Sequence, residues 1–146
     1  MSAALIEASF PQLAQDGYRI TSTETSVYNC FAWGLSNTQK WWSPVQNGGY
    51  HWPAGVKQDL KLETFVRLYA QEGNFHPCDH HAHELTYDKL AIYCNQQGEV
   101  THVARQLASG KWTSKLGDWE DIEHKTLAGI EGQFYGKVAK VLKRKL

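Results

Sequence analysis

A thiol and an imidazole are the two side chains in this 146-residue sequence whose types and surroundings suit covalent chemistry. Cys30 stands in the stretch Tyr28-Asn29-Cys30-Phe31-Ala32-Trp33-Gly34, at the start of what reads as a small helix. A thiol attacks as its thiolate, and its pKa falls at a helix N-terminus or beside an imidazolium. The base must come from elsewhere in the chain, because nucleophile and base meet in space rather than in sequence. Of the seven histidines, His102 lies inside the strand-like run Val100-Thr101-His102-Val103-Ala104, where a rigid backbone would hold it. His51, His76, His80, His81 and His83 fall in loop-like stretches, and His124 in a polar turn region. The alternatives are a buried structural thiol at Cys30 and a core histidine bonded to backbone at His102.

The elements that must position these groups follow from local pattern. Residues 2–15 predict one or two short helical turns broken by Pro11, and residues 26–37 a short helix with Ser26 or Asn29 near its N-cap that stops around Gly34. Residues 41–55, dense in aromatics and turn formers, predict a long ordered loop. Leu62, Phe65, Val66 and Tyr69 recur at helical spacing, and Gly73-Asn74 is a C-cap signal. Residues 75–88 predict loop. Three β-rich runs around residues 89–95, 99–108 and 111–117, separated by Gly-containing turns, predict an antiparallel meander. Residues 118–132 predict a loop with a helical turn, and residues 135–144 a last strand. Helices first and strands after them give a single α+β domain spanning 1–146.

Register within the meander decides which groups share the face of His102. If Ser109-Gly110 is a strict two-residue turn, Arg105 lies opposite Ser114, and His102 shares its face with Thr113 and Lys115. A three-residue loop or a bulge shifts the pairing by one and brings Ser114 to the face of His102.

A cysteine at a helix start, followed by a meander whose second strand carries a histidine, resembles the NlpC/P60-like branch of the papain-like cysteine hydrolases. That family's histidine strand turns back through a Gly-containing hairpin, and a third polar residue stands twelve positions after the histidine. The stretch from His102 to Ser114 is similar to it, although Asn29 precedes the cysteine where the family usually has Asp. The resemblance implies N-terminal helices packed on a small antiparallel sheet. It implies Cys30 as nucleophile, His102 as general base and acid, and Ser114 as the residue that orients it. Tyr18, twelve residues before Cys30, matches the place of a tyrosine near the family's nucleophile.

The chemistry would be attack on an amide or ester carbonyl through a thioester acyl-enzyme, with the Cys30 backbone N–H and Tyr18 or Asn29 as oxyanion donors. The implied partner is a peptide or amide-containing substrate, with no cofactor and no metal. The motifs YNC-x-AW and W-x-SK-x-G also resemble those of a family of small bacterial proteins, a resemblance that supplies no chemistry.

Two further clusters stand out. His76-Pro77-Cys78-Asp79-His80-His81-Ala82-His83 carries zinc-type donors at Cys78, His80 and His83, yet no second ligand pair accompanies it, and solvated histidines are the competing reading. The aromatic loop at residues 41–52, Trp42 included, presents a wall for a sugar or peptide in a non-catalytic binding module, or else folds over the sheet as core.

Composition bounds the rest. Fifteen Lys and Arg balance fifteen Asp and Glu, so no global field recruits nucleic acid or an anionic membrane. Three cysteines in no pairing pattern suit a reducing compartment rather than a disulfide framework. The N-terminus lacks a secretion signal and no run has the length of a membrane span, so the expected location is the cytoplasm unless a non-classical export route acts. Oligomeric state is left open.

Overall fold

The computed structural model describes residues 3–45 and 49–146. Pro11 cannot continue a helix, and it separates α1 (Ala3–Ser9) from α2 (Leu13–Asp16). Then come β1 (Tyr18–Ile20) and α3 (Cys30–Trp33), whose N-cap is Asn29 with its side chain accepting from the Ala32 N–H. The most periodic stretch of the sequence becomes α4 (Leu62–Gly73), closed by Asn74 in the left-handed conformation at φ 58°. The remaining elements are β2 (His76–Cys78), β3 (Tyr87–Cys94), β4 (Val100–Gln106), β5 (Trp112–Lys115), β6 (Asp121–His124), a 3₁₀ turn (Ala128–Ile130) and β7 (Lys137–Lys145).

All seven strands join one sheet in the order β1-β6-β5-β4-β3-β7-β2, every pairing antiparallel. The meander β3 to β6 forms its middle. β7 returns along the free edge of β3 and separates it from β2. Leu90, Ala91, Ile92 and Tyr93 are all fully buried, because β3 is covered on both faces. Leu90, Ile92 and Val103 pack under α3 and α4 with Phe31, Phe65 and Leu68. Ala91, Tyr93 and Ala104 pack on the other side under Ile6, Phe10 and Leu13 of the N-terminal segment.

The β4–β5 hairpin settles the register. Leu107 N–H donates to the Lys111 carbonyl at 2.8 Å, closing a three-residue loop in which Gly110 takes φ 91°. Arg105 therefore pairs with Thr113, the arrangement that moves Ser114 to the face of His102.

This architecture corrects the papain-like α+β expectation of N-terminal helices packed on a small sheet. The sheet is the body of the molecule, and α1, α2 and α3 are only seven, four and four residues long. Three segments not read as strands pair into it, residues 18–20 having no reading and the other two read as loop. Tyr18–Ile20 joins β6, His76–Cys78 joins β7, and Asp121–His124 joins β5. Each is too short to show a period of its own, and its strand conformation comes from a partner distant in sequence.

Candidate functional site

The sequence-selected nucleophile and base do not meet. Side chains alternate along β4, so Val103 and His102 project from opposite faces. Val103 faces α3: its Cγ1 lies 3.2 Å from where a Cβ on Gly34 would stand, and Cys30 belongs to the same buried cluster. The His102 ring lies on the other side, 5.5 Å from the Tyr93 ring and stacked on Tyr135 at 4.1 Å and 12°. His102 Nε2 faces Ser114 and its Nδ1 has no hydrogen-bond partner, so no hydrogen bond joins the Cys30 thiol to the imidazole. Burial pushes the Cys30 thiol up to about 12, against the weaker opposing pull of the Val103 backbone N–H and the Lys115 charge.

His102 and Ser114 do meet, at 2.9 Å, and Ser114 Oγ also lies 2.8 Å from His124 Nε2. The proton order follows from the end of the chain. His124 Nδ1 faces the Thr126 carbonyl at 2.8 Å and must donate to it, so Nε2 is an acceptor and takes the Ser114 hydroxyl proton. His102 Nε2–H then donates to Ser114, which leaves His102 Nδ1 as a buried lone pair with no hydrogen-bond partner. Burial holds both imidazoles below their ordinary value, His124 at about 4, so both are neutral. Ser114 thus links His102 to His124 in a buried hydrogen-bonded chain.

The expected oxyanion and substrate groups are spent elsewhere. Tyr18 pairs opposite His124 on the far edge strand and donates to Glu7. Asn29 uses both ends of its amide on backbone: Nδ2 donates to the Trp42 carbonyl at 2.6 Å, and Oδ1 accepts from Trp42 N at 3.0 Å and Ala32 N at 3.4 Å. Trp42 is 4% exposed and belongs to the core beside Cys30.

What surrounds α3 instead is a buried ionic network that joins the two sequence motifs in space. Tyr28 donates to Asp121 at 2.6 Å, and the Lys115 ammonium sits 5.2 Å from the Tyr28 ring centroid while donating to the Thr25 carbonyl at 2.8 Å. Trp33 Nε1–H donates to Thr113 at 3.1 Å, and Arg105 donates to the Trp33 carbonyl and stacks 4.7 Å over its ring. Sequence reasoning missed Tyr28, Arg105 and Asp121 in this role. The signal available was the shared face of Arg105, Thr113 and Lys115 once the register is known.

The aromatic loop divides. Trp42 and Trp52 turn inward, Trp52 meeting Phe65 edge-on at 5.5 Å. Half-buried Trp41 and exposed Tyr50 form a tilted pair 5.9 Å apart, lining a groove of about 390 Å³ with Val27, Gln39, Lys40 and His51. Residues 46–48 of the loop lie outside the described residues.

The His-rich loop is organised by an ammonium. Lys89, fully buried in β3, sends its Nζ to the carbonyls of His80 (3.1 Å) and Ala82 (2.7 Å) and to Glu84 at 2.8 Å. That ion pair holds the Glu84 carboxyl below its ordinary range. His76, His80, His81 and His83 are exposed, and among the described residues no group of three or more His, Cys, Asp or Glu side chains converges as a metal site would.

No described helix is long and apolar enough to cross a membrane. No curated protein and no solved structure matches the chain. A family model does match, over residues 19–143, a span that runs from β1 through most of β7 and takes in both motifs of the α3 network. The chain belongs to the family described as "Domain of unknown function (DUF7689)".

Proposed function

We propose that this chain is a binding module rather than a cysteine hydrolase, with the Trp41–Tyr50 groove as its contact surface and a carboxylate-bearing peptide segment as its ligand. The observation that carries the reading is the Trp41–Tyr50 ring pair, half-buried and exposed respectively, on a loop whose Trp42 is core. Tyr50 is 50% exposed, and Val27 beside it 55%. Trp and Tyr supply large contact area at small entropic cost, which makes them the usual energetic centres of interfaces. The frame behind them is fixed by the Asn29 clamp on the Trp42 backbone and the bridge between Trp42 and His51, so little ordering is left for binding to impose. Lys40 is the one full charge among the described lining residues, and Gln39 adds amide donors, which favours an acidic over a basic peptide. The hydrolase alternative needs a thiolate, whereas Cys30 is 7% exposed with its thiol raised to about 12.

Selection of displayed peptides against the folded protein tests this. Acidic peptides are expected to emerge and to bind the Trp41→Ala/Tyr50→Ala variant about 10-fold more weakly at unchanged melting temperature. Equal affinity for the variant overturns the surface. Alkylation of Cys30 at pH 7 by a peptidyl chloromethyl ketone, faster than that of Cys78 or Cys94, overturns the non-catalytic reading.

A further inference from the structure

On the α1 side of the sheet, away from the Trp41–Tyr50 groove, a second hollow of about 240 Å³ is walled by four aromatic rings from three separate segments. Phe10 comes from the end of the N-terminal helix, Trp119 from the β5–β6 turn, and Phe134 and Tyr135 from the turn before β7. Phe10 is buried at the floor of the hollow, while Trp119 and Tyr135 are half-buried at its sides. Phe10 meets Phe134 at 5.8 Å and 55°, and Tyr135 at 5.4 Å and 33°, while Phe134 is still 52% exposed. The chain holds them there by design of the backbone. Gly132 and Gly136 exchange two 2.8 Å hydrogen bonds and both take positive φ, pinching the turn so that consecutive Phe134 and Tyr135 are presented together. Tyr135 is fixed further by its stack on buried His102. The His102–Ser114–His124 network lies behind this wall, with Tyr135 stacked on its first ring.

The electrostatics of the hollow select its occupant. Aromatic faces are the negative side of the ring quadrupole, and of the rings lining the hollow Phe134, Trp119 and Tyr135 keep surface open to solvent. Asp118, exposed on the same rim, is the sole full charge among the described lining residues, and no cation lines the hollow. A cation is therefore attracted. A primary ammonium would have to surrender hydrogen bonds to water for walls that offer almost none in return. A methylated ammonium has few or no N–H groups to satisfy, and spreads its charge over methyls that pack on rings.

We propose that Phe10, Trp119, Phe134, Tyr135 and Asp118 form a binding site for a quaternary or trimethylated ammonium group. This site stands independently of the function assigned to the Trp41–Tyr50 groove. The head group could belong to a free small molecule or to a trimethylated lysine side chain, and the two are told apart by the probes used.

Ligand-observed NMR with the full-length protein tests it, using choline, the neutral isostere 3,3-dimethylbutan-1-ol, and a short peptide carrying either trimethyl-lysine or unmodified lysine. Choline is expected to bind about 10-fold more tightly than the isostere, the size of a cation–π preference at a partly desolvated site. Phe134→Ala, a change at a half-exposed ring that leaves the core intact, is expected to abolish choline binding, and Asp118→Asn to weaken it several-fold. Stronger binding of the trimethyl-lysine peptide than of choline assigns a protein-borne ligand, and the reverse a small molecule. Equal binding of choline and its isostere, binding unchanged in Phe134→Ala, or no binding by either cationic probe overturns the proposal.

Discussion

Protonation of His124 is where pH acts most directly on this fold. Its imidazole is held at about 4, against 6.5 for an ordinary histidine, because burial penalises the charged form by more than the Thr126 carbonyl favours it. The unfolded chain therefore takes up the proton first as pH falls. The contribution is complete above 6.5 and is lost as pH drops from 6.5 toward 4, a cost of about 3 kcal/mol when both limits are reached. His102 is shifted the same way and adds to the loss. Urea midpoints measured at pH 7.5 and 4.5 should differ accordingly, and His124→Gln should flatten the difference. A wild-type midpoint that stays level across that range would mean the two imidazoles are reached by solvent protons without unfolding. The same residue explains what sequence reading could and could not see. The contact of His102 with Ser114 was legible only as one of two registers, the one that a three-residue hairpin loop selects. That His124 completes the chain was not, because β6 has no pattern until β5 pairs with it.

At the scale of elements, local signals served well and landing sites did not. The Asn29 cap, the arrest of α3 near Gly34 and the left-handed Asn74 all follow from side-chain chemistry within a few residues. Which face of β4 receives α3 depends on contacts some 70 residues apart in sequence. Alternation says that His102 and Val103 diverge, but not which of them meets Cys30. Lys89 was hidden for a similar reason. A charged residue reads as solvent-facing unless one knows that the carbonyls of His80 and Ala82 wrap it. Two substitutions probe the joints between elements. Asn29→Ala removes both the helix cap and the clamp on Trp42, leaving buried backbone groups unpaired, and should cost about 1–3 kcal/mol in chemical denaturation. Gly136→Ala is expected to cost more than about 2 kcal/mol, because its Cβ would stand 2.0 Å from the Cys94 carbonyl oxygen at a backbone φ of 73°. A variant with a wild-type denaturation midpoint would show that the turn carrying Phe134 and Tyr135 can relax away from β3.

For the whole molecule the decisive feature is that the last strand is interior. β7 pairs with β3 along Tyr87–Cys94 and with β2 on its other side, so the sheet closes only when the C-terminal segment arrives. It also brings Val141 and Leu142 into the core, Leu142 among the residues beneath α4. Until then β3, the most buried strand, presents an open apolar edge of the kind that recruits other chains. A chain ending at Gly136 keeps the full meander and every helix, yet it loses the strand that covers this edge and the partner that makes β2 a strand at all. It should therefore show no cooperative thermal transition by circular dichroism and should elute as aggregate in gel filtration. A sharp transition in a monomeric fraction would mean that β3 to β6 fold as an autonomous unit and that β7 docks onto a finished sheet. The loss expected here exceeds that of any single substitution above, because the truncation removes a ladder on both sides of one strand while exposing apolar surface on two others.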